Sequence, residues 1–374
     1  MLVLILYVTY LFHTAKVSWT WWKKWPFVKW LLFIVTLSGV YVTLSGQAIS
    51  ETYRVYAEWY LYLILFVFIY HKFTIEELFR AITIFSFLWM VMWILGYLAP
   101  FPMYDASGEF DSEYLMTEGR GVIRLKVSGS CIMQMWGLWC LSIYIDSHKK
   151  KYLAAFIACF TFTVLLVSRQ HIVAYAALGL FFLLIKENFS RKILLMGILY
   201  GMFTIYLSQT KIYQNLTELT EEQMYENEGG KEDVRIKAWE YYVTEYPTNL
   251  YCVLFGHGLY HAHSKQGKEM SMLIFNTGYV LADIGFVGLY IYFGLAGLLC
   301  FLFLFLYVYR IKVPQSFYGI KLFIYFLFLT NVFSHNIEQS ILECAMSLFI
   351  LYMANLKMKT MKMMDSVELN KRLI

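Results

Sequence analysis

The chain has 374 residues, of which 60% are hydrophobic, 20% aromatic and only 15% charged, and its formal net charge is +5. Water-soluble domains carry roughly 25% charged residues, so this composition excludes an ordinary soluble enzyme. Apolar runs recur from end to end, which makes the chain a polytopic membrane protein, with membrane lipids as partners, rather than a tethered catalytic domain; nothing in it points to nucleic acid.

In chain order, "MLVLILYVTYLF" has no basic leader and no small-residue cleavage site. It reads as a retained, short first span over residues 2–13, or as a chain start placed a little late. "SWTWWKKWPFVKW" follows as an interfacial belt of tryptophan and lysine. Further helices are predicted near 31–48, 56–71, 81–99, 128–145, 152–167, 171–186, 193–208, 285–309, 318–334 and 340–355. The fold class is therefore all-α: one integral membrane domain over 1–374, a bundle of about eleven spans with a basic tail at 356–374. Five of the six cysteines (Cys131, Cys140, Cys159, Cys300 and Cys344) fall in apolar helices, and no CxxC pair occurs. Neither a disulfide framework nor a zinc ribbon is supported.

Lysine and arginine near span ends favour the cytoplasm. One set of loops holds Lys16, Lys23, Lys24, Lys29, Lys151, Lys186, Arg191, Lys192, Arg310, Lys312 and the tail, whereas the opposite set is mainly acidic. This puts the C-terminus inside and the N-terminus outside. Two segments then fall outside: 100–127, and 209–284, the chain's only substantial polar stretch. Within the second, "VRIKAWEYYVTEY" has the pattern of an amphipathic helix ended by Pro247.

"LLVSRQHIVAYAALG" places Arg169 at an external turn, beside the start of the span near His171. An arginine next to the positive end of a helix is unfavourable for that helix. It makes sense where guanidinium and helix end together hold an anion; a side chain reaching headgroups is the plainer alternative. Arg120, Arg124 and Lys126, just before the fifth span, and Arg235 and Lys237 in the large loop add external cations. Phosphate suits arginine because its planar donors engage two oxygens at once.

"FGHGLYHAHSKQGKEMSMLIFNTGYVLADIGFVGLY" holds the densest chemistry. Gly256 and Gly258 permit a tight turn near a ligand. His257, His261 and His263 could bind a metal, serve as structural side chains, or move protons on a polar substrate. No H-E-x-x-H pattern or cysteine partner supports the metal, and no cofactor is expected. Asn276 and Asp283 follow at the mouth of the ninth span, where Asp283 could also cap the helix beginning at Gly285.

"VSRQHIVAYAALGL", Arg235-x-x-x-Trp239, a proline, "FGHGL", an asparagine and "ADIGFVGLY" occur in the order seen in Wzy-type O-antigen polymerases and O-antigen ligases. The chain resembles this family of polytopic glycosyltransferases over about residues 120–310. The resemblance implies a GT-C-like helical fold in the bacterial cytoplasmic membrane, with the site on the outer face. It also implies an undecaprenyl-pyrophosphate-linked oligosaccharide as donor, and a chain-length regulator and flippase as pathway partners. Arg169 and Arg235, with Arg124 or Arg120, then hold the pyrophosphate, and His257, Asn276 and Trp239 bind other parts of the substrate. Ligases commonly have a histidine before the asparagine; Phe275 stands there in this chain. His261, His263 or Asp283 remain as the base. The reaction needs positive charge facing the departing pyrophosphate and a base for the acceptor hydroxyl, and no P-loop is present. The expected activity is metal-independent polymerisation of lipid-linked repeat units. The alternatives are ligase-type transfer to another acceptor, or flipping of the lipid-linked oligosaccharide.

The topology is checked with single cysteines introduced across 100–127 and 209–270. An impermeant thiol reagent should label them in intact cells; labelling only after membrane rupture would reverse the orientation.

Overall fold

The computed structural model describes residues 2–14, 25–98, 116–117, 124–125, 129–166, 168–186, 234–332 and 334–372. The expected span at 193–208, the acidic stretch before Val234, most of segment 100–127 and Arg120 lie outside these residues.

The described chain is helical. In order come α1 (Leu2–Thr14), α2 (Pro26–Leu44), α3 (Ile49–Tyr56), a 3-10 stretch (Ala57–Leu63), α4 (Ile64–Tyr70) and α5 (Ile75–Leu98). A two-residue antiparallel ladder, β1 (Met116–Thr117) with β2 (Arg124–Leu125), precedes α6 (Ser130–Ser147), α7 (Lys150–Leu165) and α8 (Arg169–Lys186). Then follow α9 (Val234–Glu240), α10 (Leu250–Phe255), α11 (Lys265–Thr277), α12 (Gly285–Arg310), α13 (Tyr318–Thr330), α14 (Asn336–Gln339) and α15 (Ile341–Arg372). Most predicted spans coincide with helices to within a few residues. The amphipathic pattern after residue 233 forms α9 and one π turn (Tyr241–Glu245), stopping before Pro247.

Among the described residues four helices are long and apolar enough to cross a membrane: Phe27–Leu44, Ile75–Leu98, Gly285–Arg310 and Ile341–Met364. Their surfaces agree with that role. On α2, Leu31, Ile34 and Val35 are buried while Trp30 and Phe33 are exposed, and on α12 Phe301 and Leu304 are buried while Leu302 and Phe303 are exposed. Water would penalise such apolar flanks; lipid tails do not.

The chain forms two compact units. In the unit Phe79–Asp233, α6 and α7 cross closely because Gly137 faces Cys159 and the Tyr175 hydroxyl. Small residues allow such backbone approach between membrane helices. The rings of Phe156 and Phe160 stack on Tyr175. All six cysteines are free and buried.

The other unit, Met1–Leu78 with Val234–Ile374, is organised around α12. This helix is interrupted at Gly294, whose φ of 62° and ψ of −165° are not helical. Nine residues at 1.5 Å each make the part before the break ~14 Å long, less than half a hydrocarbon core of ~30 Å. Trp59 packs edge-on against Phe293 (4.6 Å between centroids) and Phe301 (6.1 Å), bracketing the break. A β-carbon on Gly294 would meet the Leu254 carbonyl, so α10 lies directly on the interruption.

Two glycines with positive φ separate strain from crowding. Gly46 (φ 102°) has open space beside it, so Gly46→Ala should cost only left-handed strain, about 1–2 kcal/mol. Gly294→Ala adds collision with the Leu254 backbone and should cost distinctly more, seen as the larger fall in thermal midpoint of the purified protein. Equal shifts would show that α10 does not sit tightly on the break.

Candidate functional site

The break in α12 leaves carbonyls without their helical partners, and the chain supplies replacements. The backbone N–H of His257 donates to the Ile291 carbonyl at 2.7 Å, and that of Gly258 to the Tyr292 carbonyl at 3.2 Å. Sequence explains how the loop gets so close. Asn249 starts α10 by accepting from Cys252 N–H at 2.9 Å, and Gly256 ends it with φ 81°. A side chain on Gly256 would strike the Tyr292–Phe293 peptide; one on Gly258 (φ 90°) would strike Val42 and the Tyr56 hydroxyl. Glycine is required at both positions by backbone angle and by space.

The rest of the loop is fixed by polar contacts. Leu259 N–H donates to the Tyr56 hydroxyl at 2.7 Å. That hydroxyl lies 2.7 Å from Ser38 Oγ, and Ser38 in turn donates to the Tyr292 carbonyl at 3.3 Å. The only direction consistent with these contacts runs Leu259 to Tyr56 to Ser38 to Tyr292. Further on, His261 N–H donates to Gln47 Oε1 at 2.9 Å, and Ser264 caps α11 by accepting from Gly267 N–H at 3.0 Å.

His257 is 9% exposed, its ring centroid 4.4 Å from that of Tyr246. Its Nε2 is buried and has no hydrogen-bond partner among the described residues. Burial without a compensating charge pushes its pKa down to about 4, and burial raises the Tyr246 phenol to about 12. Both rings are therefore neutral at physiological pH. Trp239, half-buried, packs on the core formed by Ala238, Tyr242, Leu281 and Ile284, to which Tyr246 also belongs. His257 and Trp239 thus border one aromatic cluster.

His261 and His263 form a second arrangement, half-buried and exposed respectively, with centroids 5.2 Å apart. His263 N–H donates to His261 Nδ1 at 3.3 Å, which places the proton of neutral His261 on Nε2. Among the described residues no three His, Cys, Asp or Glu side chains are grouped to hold a metal ion. Asn276 and Asp283 are exposed, and Phe275 is 90% exposed. Asp283 does not cap α12: Ile284 occupies the cap position and no side chain bonds there. The 3-10 turn Leu281–Asp283 buries Leu281 instead, leaving the carboxylate outward.

Arg169 is the first residue of α8, in the second unit, and Arg235 is exposed on α9, in the first. Arg124 is in β2; its side chain and that of Arg169 lie outside the described residues. The residues that sequence reasoning missed are Tyr56, Ser38, Gln47 and Tyr246. The first three sit in helices or turns more than 200 positions from the loop they hold, and no local spacing announces that. An apolar groove of about 310 Å³ beside Tyr56, lined also by Gly39, Val40, Leu44, Ile49 and Tyr53, was equally invisible. No family model and no curated protein matches the chain.

A histidine whose folded pKa lies below its unfolded value of about 6.5 leaves the unfolded state binding more protons. Stability is then full above pH 6.5 and is lost as pH falls toward 4. The thermal midpoint of wild type should drop across that window, and His257→Gln should lose that component of the drop. Parallel profiles for the two proteins would mean that His257 is not buried neutral.

Proposed function

We propose that the protein polymerises lipid-linked oligosaccharide repeat units on the outer face of the bacterial cytoplasmic membrane, in a GT-C-like bundle of about eleven spans. The growing glycan moves from undecaprenyl pyrophosphate to an incoming lipid-linked repeat. The observation that carries this reading is the histidine-bearing loop, held by glycines against an interrupted, membrane-length helix. Irregular backbone in such a helix is tolerated where it lines a cavity or is buried in protein, and here it presents Gly256–Ser264 as a rigid polar edge.

In this reading Arg235 and Arg169, with Arg124 or Arg120, hold the pyrophosphate, and their charge meets the negative charge that builds on the leaving oxygen. The apolar groove beside Tyr56 receives part of the polyprenyl chain. Neutral His257 accepts a hydrogen bond from a substrate hydroxyl, while His263, whose ring is exposed, takes the acceptor proton; Asp283 is the other candidate base. His261, its Nδ1 already engaged, donates through Nε2. Trp239 and Asn276 contact sugar. No cofactor is required by this chemistry. Ligase-type transfer uses the same machinery with a different acceptor. A flippase is the second reading, favoured by the break itself, because interrupted helices also build transport sites.

Arg169→Ala and Arg235→Ala should each reach the membrane at normal levels yet form little long-chain polymer, by tenfold or more, since ~1.4 kcal/mol of lost transition-state stabilisation is a factor of ten. Arg169→Lys should recover only part, because a point charge lacks the bidentate fork. Lys265→Ala, an exposed residue of α11, should behave as wild type. Chain-length distribution on a gel, with protein level measured alongside, reads the result. Wild-type ladders from both arginine variants would remove the pyrophosphate clamp.

A further inference from the structure

α11 buries one face and turns an apolar end outward on the other. Met270 and Leu273 pack on the cluster that holds Tyr242, Leu281, Ile284 and Val287, and so define the inward side. Opposite them run Lys265, Lys268, Met272 and Phe275, spaced i, i+3, i+7 and i+10 as one helical stripe and all exposed. Phe275 is 90% exposed and Met272 59%. Val234, itself exposed, lies beside Gly278 and extends the apolar end of the stripe. A helix facing water would carry polar side chains there.

The depth of this helix follows from its neighbours. α2 and α12 are both of membrane-crossing length. They run antiparallel, since the ring of Phe27 meets that of Tyr307 at 5.6 Å while Ser38 donates to the Tyr292 carbonyl at 3.3 Å. Seven residues separate Ser38 from Ser45, the cap of α2, and seven separate Tyr292 from Gly285, where α12 starts. At 1.5 Å per residue both helix ends stand ~10 Å beyond the shared contact, at one level and at one edge of the apolar layer. α11 is attached to both ends. Gln266 Nε2 donates to the Ser45 carbonyl at 2.7 Å, and Met270 and Leu273 rest on Ile284 and Val287 at the start of α12 through their common cluster. The helix, ~20 Å long, therefore lies across the pair at the bilayer boundary.

At that level its outward side meets lipid headgroups and the first acyl carbons. Interfacial helices bury apolar side chains ~5–10 Å into this zone, and a lysine lays its stem along them while its ammonium reaches phosphate. The stripe has that order, with both lysines in its first half and Met272 and Phe275 in its second. Two cations on the stripe against one carboxylate, Glu269 on the adjoining flank, suit an anionic leaflet.

We propose that α11 is an interfacial anchor whose ligand is anionic phospholipid. Met272 and Phe275 enter the acyl boundary, and Lys265 and Lys268 hold headgroup phosphates. Because the histidine loop ends at Ser264, the residue that caps α11, the anchor keeps that loop level with the headgroups. It depends on the two spans alone, and on no particular reaction or orientation of the chain.

Lipid contact is read by spin-labelling Phe275→Cys in full-length protein held in nanodiscs. The six native cysteines are buried, and wild type carried through the same labelling supplies the background. Relative to free label in buffer, collisions with oxygen should rise several-fold against those with a water-soluble nickel chelate, toward the ratio for Phe303→Cys on the exposed flank of α12. A ratio equal to that of free label puts the stripe in water and overturns the anchor. Dipolar coupling between labels on two chains puts a second copy on the stripe and overturns it equally. Charge is tested separately, without the cysteine variant. Replacing phosphatidylcholine discs by discs that also contain phosphatidylglycerol should raise the wild-type thermal midpoint by several degrees, and high salt should shrink the rise. Lys265→Glu combined with Lys268→Glu should lose most of that rise while matching wild type in neutral discs, since both positions are exposed. An equal rise in the two proteins would overturn anionic phospholipid as the ligand of α11.

Discussion

Two hydrogen bonds, from the amides of His257 and Gly258 to the carbonyls of Ile291 and Tyr292, are the constraint on which this unit depends. A helix interrupted within the bilayer exposes backbone groups that lipid cannot satisfy, at a cost of several kcal/mol for each one left open. The interruption at Gly294 is thus tolerable only if another segment brings donors to it. That requirement fixes much else. Gly256 and Gly258 must lack side chains to reach the helix backbone, Asn249 and Ser264 must start their helices at set points, and Tyr56 must hold Leu259 from the opposite side.

The same half of α12 bears a second electrostatic burden. Asn331 Nδ2, His335 Nε2, Asn336 Nδ2, Glu338 Oε1 and Ser340 Oγ, and separately His257 Nε2, are buried without a protein partner among the described residues, the kind of group that ordered water ordinarily satisfies.

Much of the helical architecture was legible in the sequence because apolar run length and turn residues are local signals. The start of α12 at Gly285, the helix from Val234 and its stop before Pro247 follow from pattern and turn chemistry alone. The Gly256–Gly258 turn was legible for the same reason. The break at Gly294 was not, since an apolar run with scattered glycines reads as one continuous span and only the bound loop distinguishes hinge from spacer. Asp283 illustrates the converse: a carboxylate two residues before a helix suggests a cap, yet burial of Leu281 turned it outward. The "SHNIEQS" run was visible as polar residues between two spans, but a short external turn is ordinarily solvated. Nothing local shows that α12 covers it.

The capping of the break also bears on what kind of machine this is. Transport sites built on interrupted helices leave unwound carbonyls free to coordinate ions, and the helix ends face the substrate. Here the carbonyls of Ile291 and Tyr292 are both occupied by amides of the chain itself, and the Tyr292 carbonyl additionally accepts from Ser38. The Tyr292 oxygen thus has both lone pairs engaged and the Ile291 oxygen one of its two. A part that must rock between two states gains little from being fastened at three points, to α12, Tyr56 and Gln47. A catalyst gains directly, because transition-state stabilisation depends on groups already held in place before charge develops. The fastening of the histidine loop is therefore the backbone feature on which the proposed transferase reading rests, independently of which histidine moves the proton.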